Sequence, residues 1–382
     1  MLNVKELYPE DNEYLKDIWD KHPFFDPSLF HIRRKDVVKA IEEGQASYYF
    51  INQVRNSFIP EKDNATVQII FVDSMNKGIK AVNELLSINF DKETSAFLKL
   101  EEIKLPFNFS KFMREARDDF IKSRSGKRPS NLNYEKLLKA YEKMRAFGLG
   151  YRILLIDESP EVLSCLSHHH LILKWFNDQF KFSNSKKIEN IEDLTHVFET
   201  KAGVNIYGKE KNPISSRLKI LDENGSLSYG SILMKMFLKG QFPDDINDHV
   251  RIEFIVKNEK ERENLVRYFR KEIRAMERLE NFEEIKEGKK SDNEQSAVGF
   301  DSVKFTIRPP IPTQRAKDSI FENLKFERIP VEVQILTLKA HEQRIKNPEI
   351  EHKAYKERQF RRFFPALFPK EIYEKLIEAN SL

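Results

Sequence analysis

Ser216-Arg217-Leu218-Lys219 opens a stretch that continues through Tyr229-Gly230-Ser231-Ile232-Leu233-Met234-Lys235-Met236. It closes on Asp248-His249-Val250-Arg251-Ile252-Glu253-Phe254-Ile255-Val256. The last nine residues decide the reading: a carboxylate stands at the start of an apolar strand. Ahead of it, Ser231 and Lys235 lie one helical turn apart, and two cations, Arg217 and Lys219, come first. Arg and Lys balance phosphate charge, and Arg can grip two oxygens at once. A Ser hydroxyl donates to phosphate. An Asp is a hard oxygen ligand for Mg²⁺, which binds through one or two carboxylates plus substrate phosphates. The stretch therefore carries the groups needed to hold a triphosphate and its metal. Each group also has a plainer reading: a solvated helix face for Lys235, a turn residue for Asp248.

A second stretch carries the argument further. Glu332-Val333-Gln334-Ile335-Leu336-Thr337 reads as a strand. Side chains two apart share a face, so Glu332 and Gln334 present a carboxylate and an amide together. Between the two stretches lies Gly299-Phe300-Asp301-Ser302-Val303-Lys304, and beyond them Glu351-His352-Lys353-Ala354-Tyr355-Lys356.

This ordered series resembles the synthetase domain of the RelA/SpoT family of alarmone synthetases over roughly residues 205 to 360. Arg217 and Lys219 look like the family's Arg-x-Lys. Ser231 and Lys235 match its Ser-x-x-x-Lys-Met helix, and Asp248 its metal-binding Asp. Phe300 stands where the family has the Tyr of Gly-Tyr-x-Ser-x-His. Glu332 and Gln334 match Glu-x-Gln-Ile-x-Thr, and His352, Tyr355 and Lys356 the closing His-x-x-Tyr-Lys. The resemblance implies an α/β fold: a mixed β-sheet flanked by helices, nucleotidyltransferase-like. Ahead of it, where the resemblance does not reach, the residue pattern itself reads as a mixed α/β N-terminal domain. It implies a nucleotide pyrophosphokinase that moves the β,γ-pyrophosphate of ATP to the ribose 3′-hydroxyl of GDP or GTP. ATP would lie against Arg217, Lys219, Ser231, Lys235 and Arg251. Asp248 with Glu332 would hold Mg²⁺. The acceptor would meet Phe300, Lys304, His352 and Lys356, its base stacked on Phe300. Glu332 would orient or deprotonate the attacking hydroxyl, with Gln334 beside it.

Three departures bear on this expectation. Asp222-Glu223-Asn224-Gly225-Ser226 adds a turn or small loop between Arg-x-Lys and the Ser helix. Glu253 stands where the family usually has Arg, with Arg251 two residues earlier on the same face. Lys304 replaces the family's His. These changes keep two alternatives open: a relative that pyrophosphorylates the 3′ end of tRNA, and a degenerate domain that binds nucleotide or RNA without chemistry.

The chain has 382 residues, enough for two domains and a large core. The division expected is 1–190, unassigned and regulatory in character; 191–365, the synthetase-like domain; and 366–382, a helical tail. Net charge is +4, too mild to imply nucleic acid by itself. The single cysteine, Cys165, rules out an internal disulfide and suits a reducing compartment, so a cytoplasmic location is expected. No leader and no membrane span is expected, because no apolar run is long enough. The oligomeric state stays open.

Along the first half, helices are expected from Pro9 to Trp19, Lys35 to Phe58, Ile79 to Leu86 and Asn133 to Phe147, the last ended by Gly148 and Gly150. Strands are expected at Ala65 to Val72 and Tyr151 to Glu158. Lys122 to Ser130 reads as a basic linker. No Gly-x-x-x-x-Gly-Lys-Ser/Thr loop exists, which excludes a P-loop site at Asp157. Ser159-Pro160 starts a helix towards Phe180. His168, His169 and His170 on that helix diverge too far to grip one ion. Asn184 to Asn190 reads as a linker, and Ile191 to Phe198 as an entry helix. Helices then follow at Tyr229 to Leu238 and Glu259 to Phe282, with a strand at Val250 to Val256. Next comes a polar loop to Ala297, whose Lys286, Lys289 and Lys290 could reach phosphates, and then a half-buried strand from Phe300 to Arg308. The tail, with Lys353, Lys356, Arg358, Arg361, Arg362, Phe363 and Phe364, suits either an RNA contact or a helix docked on the body. Pro365 and Pro369 are expected to interrupt it before a last helix, Glu371 to Ala379.

Overall fold

A computed structural model of the chain describes residues 64–108, parts of 111–119, 134–222, 224–239, 242–271, 273, 280–285, 302–312, 327–347, 352–369 and 373. The elements in chain order are α1 (Asn64–Asn89), α2 (Lys92–Leu98), α3 (Tyr134–Asp157), α4 (Pro160–Phe180), β1 (Ser183–Ile191), β2 (Leu194–Glu199), β3 (Asn205–Gly208) and β4 (Ser215–Leu218). There follow α5 (Tyr229–Lys239), β5 (Val250–Val256), α6 (Glu259–Lys271), β6 (Glu280–Ile285), β7 (Ser302–Ile307), β8 (Pro310–Ile311), β9 (Glu327–Arg328), β10 (Val331–Thr337), α7 (Leu338–Lys346) and α8 (His352–Leu367). The architecture is α/β with a mixed sheet flanked by helices. No helix among the described residues is long and apolar enough to cross a membrane.

Two compact units interleave along the chain. The first takes Met1–Glu158, Ser228–Pro243 and Gln359–Leu382; the second takes Ser159–Leu227 and Asp244–Arg358. Among its described residues the first unit is helical. The strand expected at Ala65 to Val72 is instead the start of α1. Its β-branched run belongs to a longer helical period, since Val67, Phe71, Met75, Ile79, Val82 and Leu86 are all buried. The strand expected at Tyr151 to Glu158 is the end of α3, which runs straight through Gly148 and Gly150. That segment is buried nearly all round, so its apolar run lost the periodicity that would have marked a helix.

The two glycines where α1 meets α3 explain why neither stops its helix. A Cβ on Gly150 would stand 2.5 Å from Met75 Cγ, and one on Gly78 would stand 2.8 Å from Leu149 Cβ. Leu149 Cβ is fixed to its backbone and cannot swing away. Gly78→Ala is therefore expected to destabilise despite the better helix propensity of Ala. The overpacking costs about 1–3 kcal/mol, against a gain of about 0.5–1 kcal/mol. A denaturation midpoint at or above that of the unaltered chain would contradict this close approach.

Asp157, at the end of α3, accepts from the Tyr229 hydroxyl of α5 at 2.6 Å and from Lys77 of α1 at 3.2 Å, tying three helices. The tail docks in this unit. Phe360, Phe363, Phe364 and Phe368 are buried, with Phe364 5.4 Å from Phe90 between ring centres. Arg145 donates to Leu367 O at 3.0 Å and to the Tyr373 hydroxyl at 2.6 Å, its guanidinium 4.8 Å from the Phe368 ring. Of the two tail readings, docking is the one these rings serve. Pro365 lies inside α8 rather than ending it.

The second unit is built on a sheet ordered β1-β2-β3-β5-β10-β7-β6, with β4 also paired to β5. β5 and β10 run parallel; the other pairings are antiparallel. The stretch expected as linker is β1, and the expected entry helix is β2; charged side chains suit an edge strand, where alternate positions face water. The expected helix from Glu259 stops at Lys271, and Glu280–Ile285 is a strand. β5 and β10 fall where the sequence places them. α4 begins as expected, with Ser159 Oγ accepting from Val162 N at 3.1 Å and Pro160 in the first turn.

The back of this sheet is apolar. Ile252, Phe254, Val333, Ile335, Val303 and Phe305 all lie buried there, in rows set by the strand register. Phe176 and Phe180 of α4 and Leu265 and Phe269 of α6 pack on it; Phe180 lies 4.9 Å from Phe254 and Phe269 5.1 Å from Phe305, between ring centres. β7 was expected to be half-buried, but Ser302 and Thr306 on its other face are buried too.

The helices expected at Pro9 to Trp19 and Lys35 to Phe58, the 122–130 linker, Lys286, Lys289, Lys290, Phe300, the side chain of His352 and nearly all of Glu371 to Ala379 lie outside the described residues.

Candidate functional site

The front of the same sheet is polar, and its register gathers the site. Cross-strand partners point to the same side of a sheet. One row runs Arg217, Arg251, Glu332, Thr306 and Glu280 across β4, β5, β10, β7 and β6. The next row runs Ser215, Glu253, Gln334, Lys304 and Glu283. A third turns apolar at Ile255 and Leu336, which pack with Leu194 and Ala340 under α7. So the sequence alternation places Arg251 and Glu253, Glu332 and Gln334, and Lys304 and Thr306 on one face. The strand order then makes them neighbours.

Asp248 joins them from the turn before β5. The chain past β4 is held there by Lys219 N donating to His249 O at 2.7 Å. The Lys219 ammonium then lies 3.2 Å from Asp248 Oδ2 and 3.0 Å from Glu332 Oε1. Arg251 Nε also donates to Glu332 Oε1. Burial alone would push the Glu332 carboxyl up, but Lys219 and Arg251 overcome it and hold the group well below the usual carboxylate range. Burial would lower Arg251; Glu332 raises it further, so both members stay ionised. Burial pushes the Lys304 ammonium below its ordinary value, against the pull of Glu332.

Arg217 is exposed and faces Arg251 directly across the strand pair. Like charges so placed repel unless an anion sits between or above them. Arg251 is matched by Glu332; Arg217 has no ion pair among the described residues. The row thus presents surplus positive charge at one end and two converging carboxylates beside it.

Gln334 is buried, and its Oε1 has no hydrogen-bond partner among the described residues; the same holds for Ser302 Oγ. Ser231 and Lys235 belong to the first unit, on α5. Ser228 Oγ donates to Ser231 Oγ at 2.9 Å, and Lys235 is buried. Lys356 is half-buried on α8.

Two arginines escaped the sequence reading. Arg344 of α7 grips Glu253 with both terminal guanidinium nitrogens, Nη2 to Oε1 at 2.9 Å, and contacts His341 Nδ1 at 3.0 Å. His341 Nε2 in turn meets Asp193 at 3.1 Å. Glu253, the departure from the family pattern, is therefore neutralised by an Arg arriving from another element. No local pattern could reveal that partner. Arg308 donates to Asn247 at 2.8 Å and Glu280 at 3.2 Å, beside Asp248 in the chain. Its spacing of two from Thr306 was the available signal.

Two hard carboxylates on one ammonium, next to cations, fit Mg²⁺ better than a structural metal. Mg²⁺ keeps open positions for water and phosphate oxygens, whereas tetrahedral sites demand four N or S ligands. Among the described residues, no cluster of three or more His, Cys, Asp or Glu could hold a metal unaided.

A scan against protein-family models finds no match for the chain, and a search of curated proteins finds none either.

Proposed function

We propose that the second unit is a nucleotide pyrophosphokinase transferring the β,γ-pyrophosphate of ATP to the ribose 3′-hydroxyl of a guanine nucleotide, as the resemblance to RelA/SpoT synthetases implies. The observation that carries this reading is the convergence of Asp248 and Glu332 on Lys219, with Glu332 in the same row of side chains as the Arg217–Arg251 pair.

Arg217, Lys219 and Arg251 counter the triphosphate's charge, and Arg217 is the exposed, forked group able to take two oxygens. Asp248 and Glu332 would hold Mg²⁺, which supplies charge stabilisation on the transferring group. The acceptor oxygen bonds to the β-phosphorus, the bond from that phosphorus to the α-phosphate oxygen breaks, and AMP leaves. In the resting site Lys219 and Arg251 favour the charged form of Glu332, which makes it a weak proton acceptor there. Its role is to orient the hydroxyl and hold charge, and the proton departs to solvent. Phosphoryl-type transfer depends chiefly on positioning and electrostatics, so no strong base is required. Lys304, one row further along, suits the acceptor's phosphates.

The test uses the full chain with Mg²⁺ and ATP labelled on the γ-phosphate, offering GDP, GTP, ATP or tRNA. Label on a guanine nucleotide with matching AMP is the expected result. Label on tRNA would keep the chemistry and change the acceptor. Absence of both label transfer and AMP with every acceptor would overturn the proposal in favour of a binding domain.

A further inference from the structure

We infer that Lys219 is a resident counter-cation competing with divalent metal for the Asp248–Glu332 pair, and that a bound triphosphate relieves this competition by accepting the displaced ammonium. The inference rests on the metal reading of the site and adds its regulation by the nucleotide.

The geometry leaves no room for both cations at the shared point. Lys219 Nζ stands 3.0 Å from Glu332 Oε1 and 3.2 Å from Asp248 Oδ2. All three side chains are largely buried, at 13%, 16% and 21% exposure for Lys219, Glu332 and Asp248, so water screens them little. A divalent ion binding those oxygens at about 2.0–2.1 Å would sit against the ammonium. One cation must move. The Lys219 backbone is held by its bond to His249, so the movement falls to its four-carbon stem, which is flexible.

Charge balance says when that happens. Asp248 and Glu332 are already ion-paired with Lys219 and Arg251, and Lys304 also bears on Glu332, so no surplus negative charge awaits a metal. A divalent ion alone adds two uncompensated positive charges. A triphosphate supplies the missing negative charge and gives the displaced ammonium an anionic partner beside Arg217 and Arg251. Metal and nucleotide therefore promote each other's binding, and linkage makes the promotion reciprocal. Lys219 thus keeps the carboxylates from loading with metal until the substrate is present.

The experiment measures Mn²⁺ binding to the full chain by electron paramagnetic resonance, with and without a non-hydrolysable ATP analogue. Lys219→Met should bind Mn²⁺ at least about fivefold tighter without nucleotide, the lower end of ordinary coupling, and should lose most of the enhancement by the analogue. Lys219→Arg keeps the charge and gains a fork, so it should bind Mn²⁺ no tighter than the unaltered chain. Should Lys219→Met be too unstable for binding studies, its melting temperature read against rising Mn²⁺ replaces them. The metal-induced rise should then exceed that of the unaltered chain. Lys219→Met binding no tighter, or melting with no larger rise, would overturn the inference. Asp248→Asn and Glu332→Gln separate the two levels. If both bind Mn²⁺ like the unaltered chain, the metal reading itself fails. If both lose it while Lys219→Met is unchanged, only the competition fails.

Discussion

Asp248→Asn should lower the proposed pyrophosphate transfer by at least a factor of about a hundred while the chain stays folded; removing a single preorganised electrostatic group commonly costs about 10²–10³ in rate. The substitution preserves volume and removes one of the two converging charges. Lys219 keeps its 3.0 Å contact with Glu332, so the ammonium is not orphaned. The stability loss should stay near the about 1.5–3 kcal/mol of a hydrogen bond to a charged group, within the reserve of an ordinary fold. The measurement is AMP release alongside a melting curve. Undiminished release from a folded variant would remove Asp248 from the site. A collapse of the fold would instead make it a structural turn residue.

Phe180→Ala should produce the largest loss of stability. Phe180 is the last residue of α4 and fully buried. Its ring centre lies 4.9 Å from Phe254, 5.3 Å from both Tyr268 and Phe269, 5.9 Å from Phe182 and 6.4 Å from Phe176. Removing it opens a cavity against β5 and α6 together, and buried Phe→Ala changes cost about 3–5 kcal/mol. Phe282, 40% exposed on β6, offers the contrast: its truncation should cost far less. Denaturant midpoints read both. A loss below about 1 kcal/mol at Phe180 would mean that the surrounding rings collapse into the space, contrary to the dense packing of interiors.

The sequence showed β5 and β10 well because apolar and polar residues alternate through their first five positions, before Ile255 and Leu336 break the pattern. It misread Ala65 to Val72 and Tyr151 to Glu158, where apolar runs in buried helices mimic strands. It missed β1 because that strand is polar on both faces, Lys186, Lys187 and Glu189 among them. Gly150 looked like a helix stop, yet it marks a helix crossing. Which role a glycine plays depends on what faces it.

The site divides the same way. Local sequence sufficed to place Arg251 with Glu253, Glu332 with Gln334, and Lys304 with Thr306 on single faces, because a strand's side chains alternate whatever its neighbours. Only the tertiary structure decided that β5, β10 and β7 lie side by side with those faces aligned. It alone set Lys219 between two carboxylates 113 and 29 residues away, and brought Arg344 onto Glu253. Side-chain periodicity is a property of the backbone's own geometry. Charge pairing across such separations follows from strand order and register, which the chain settles only when its apolar faces pack.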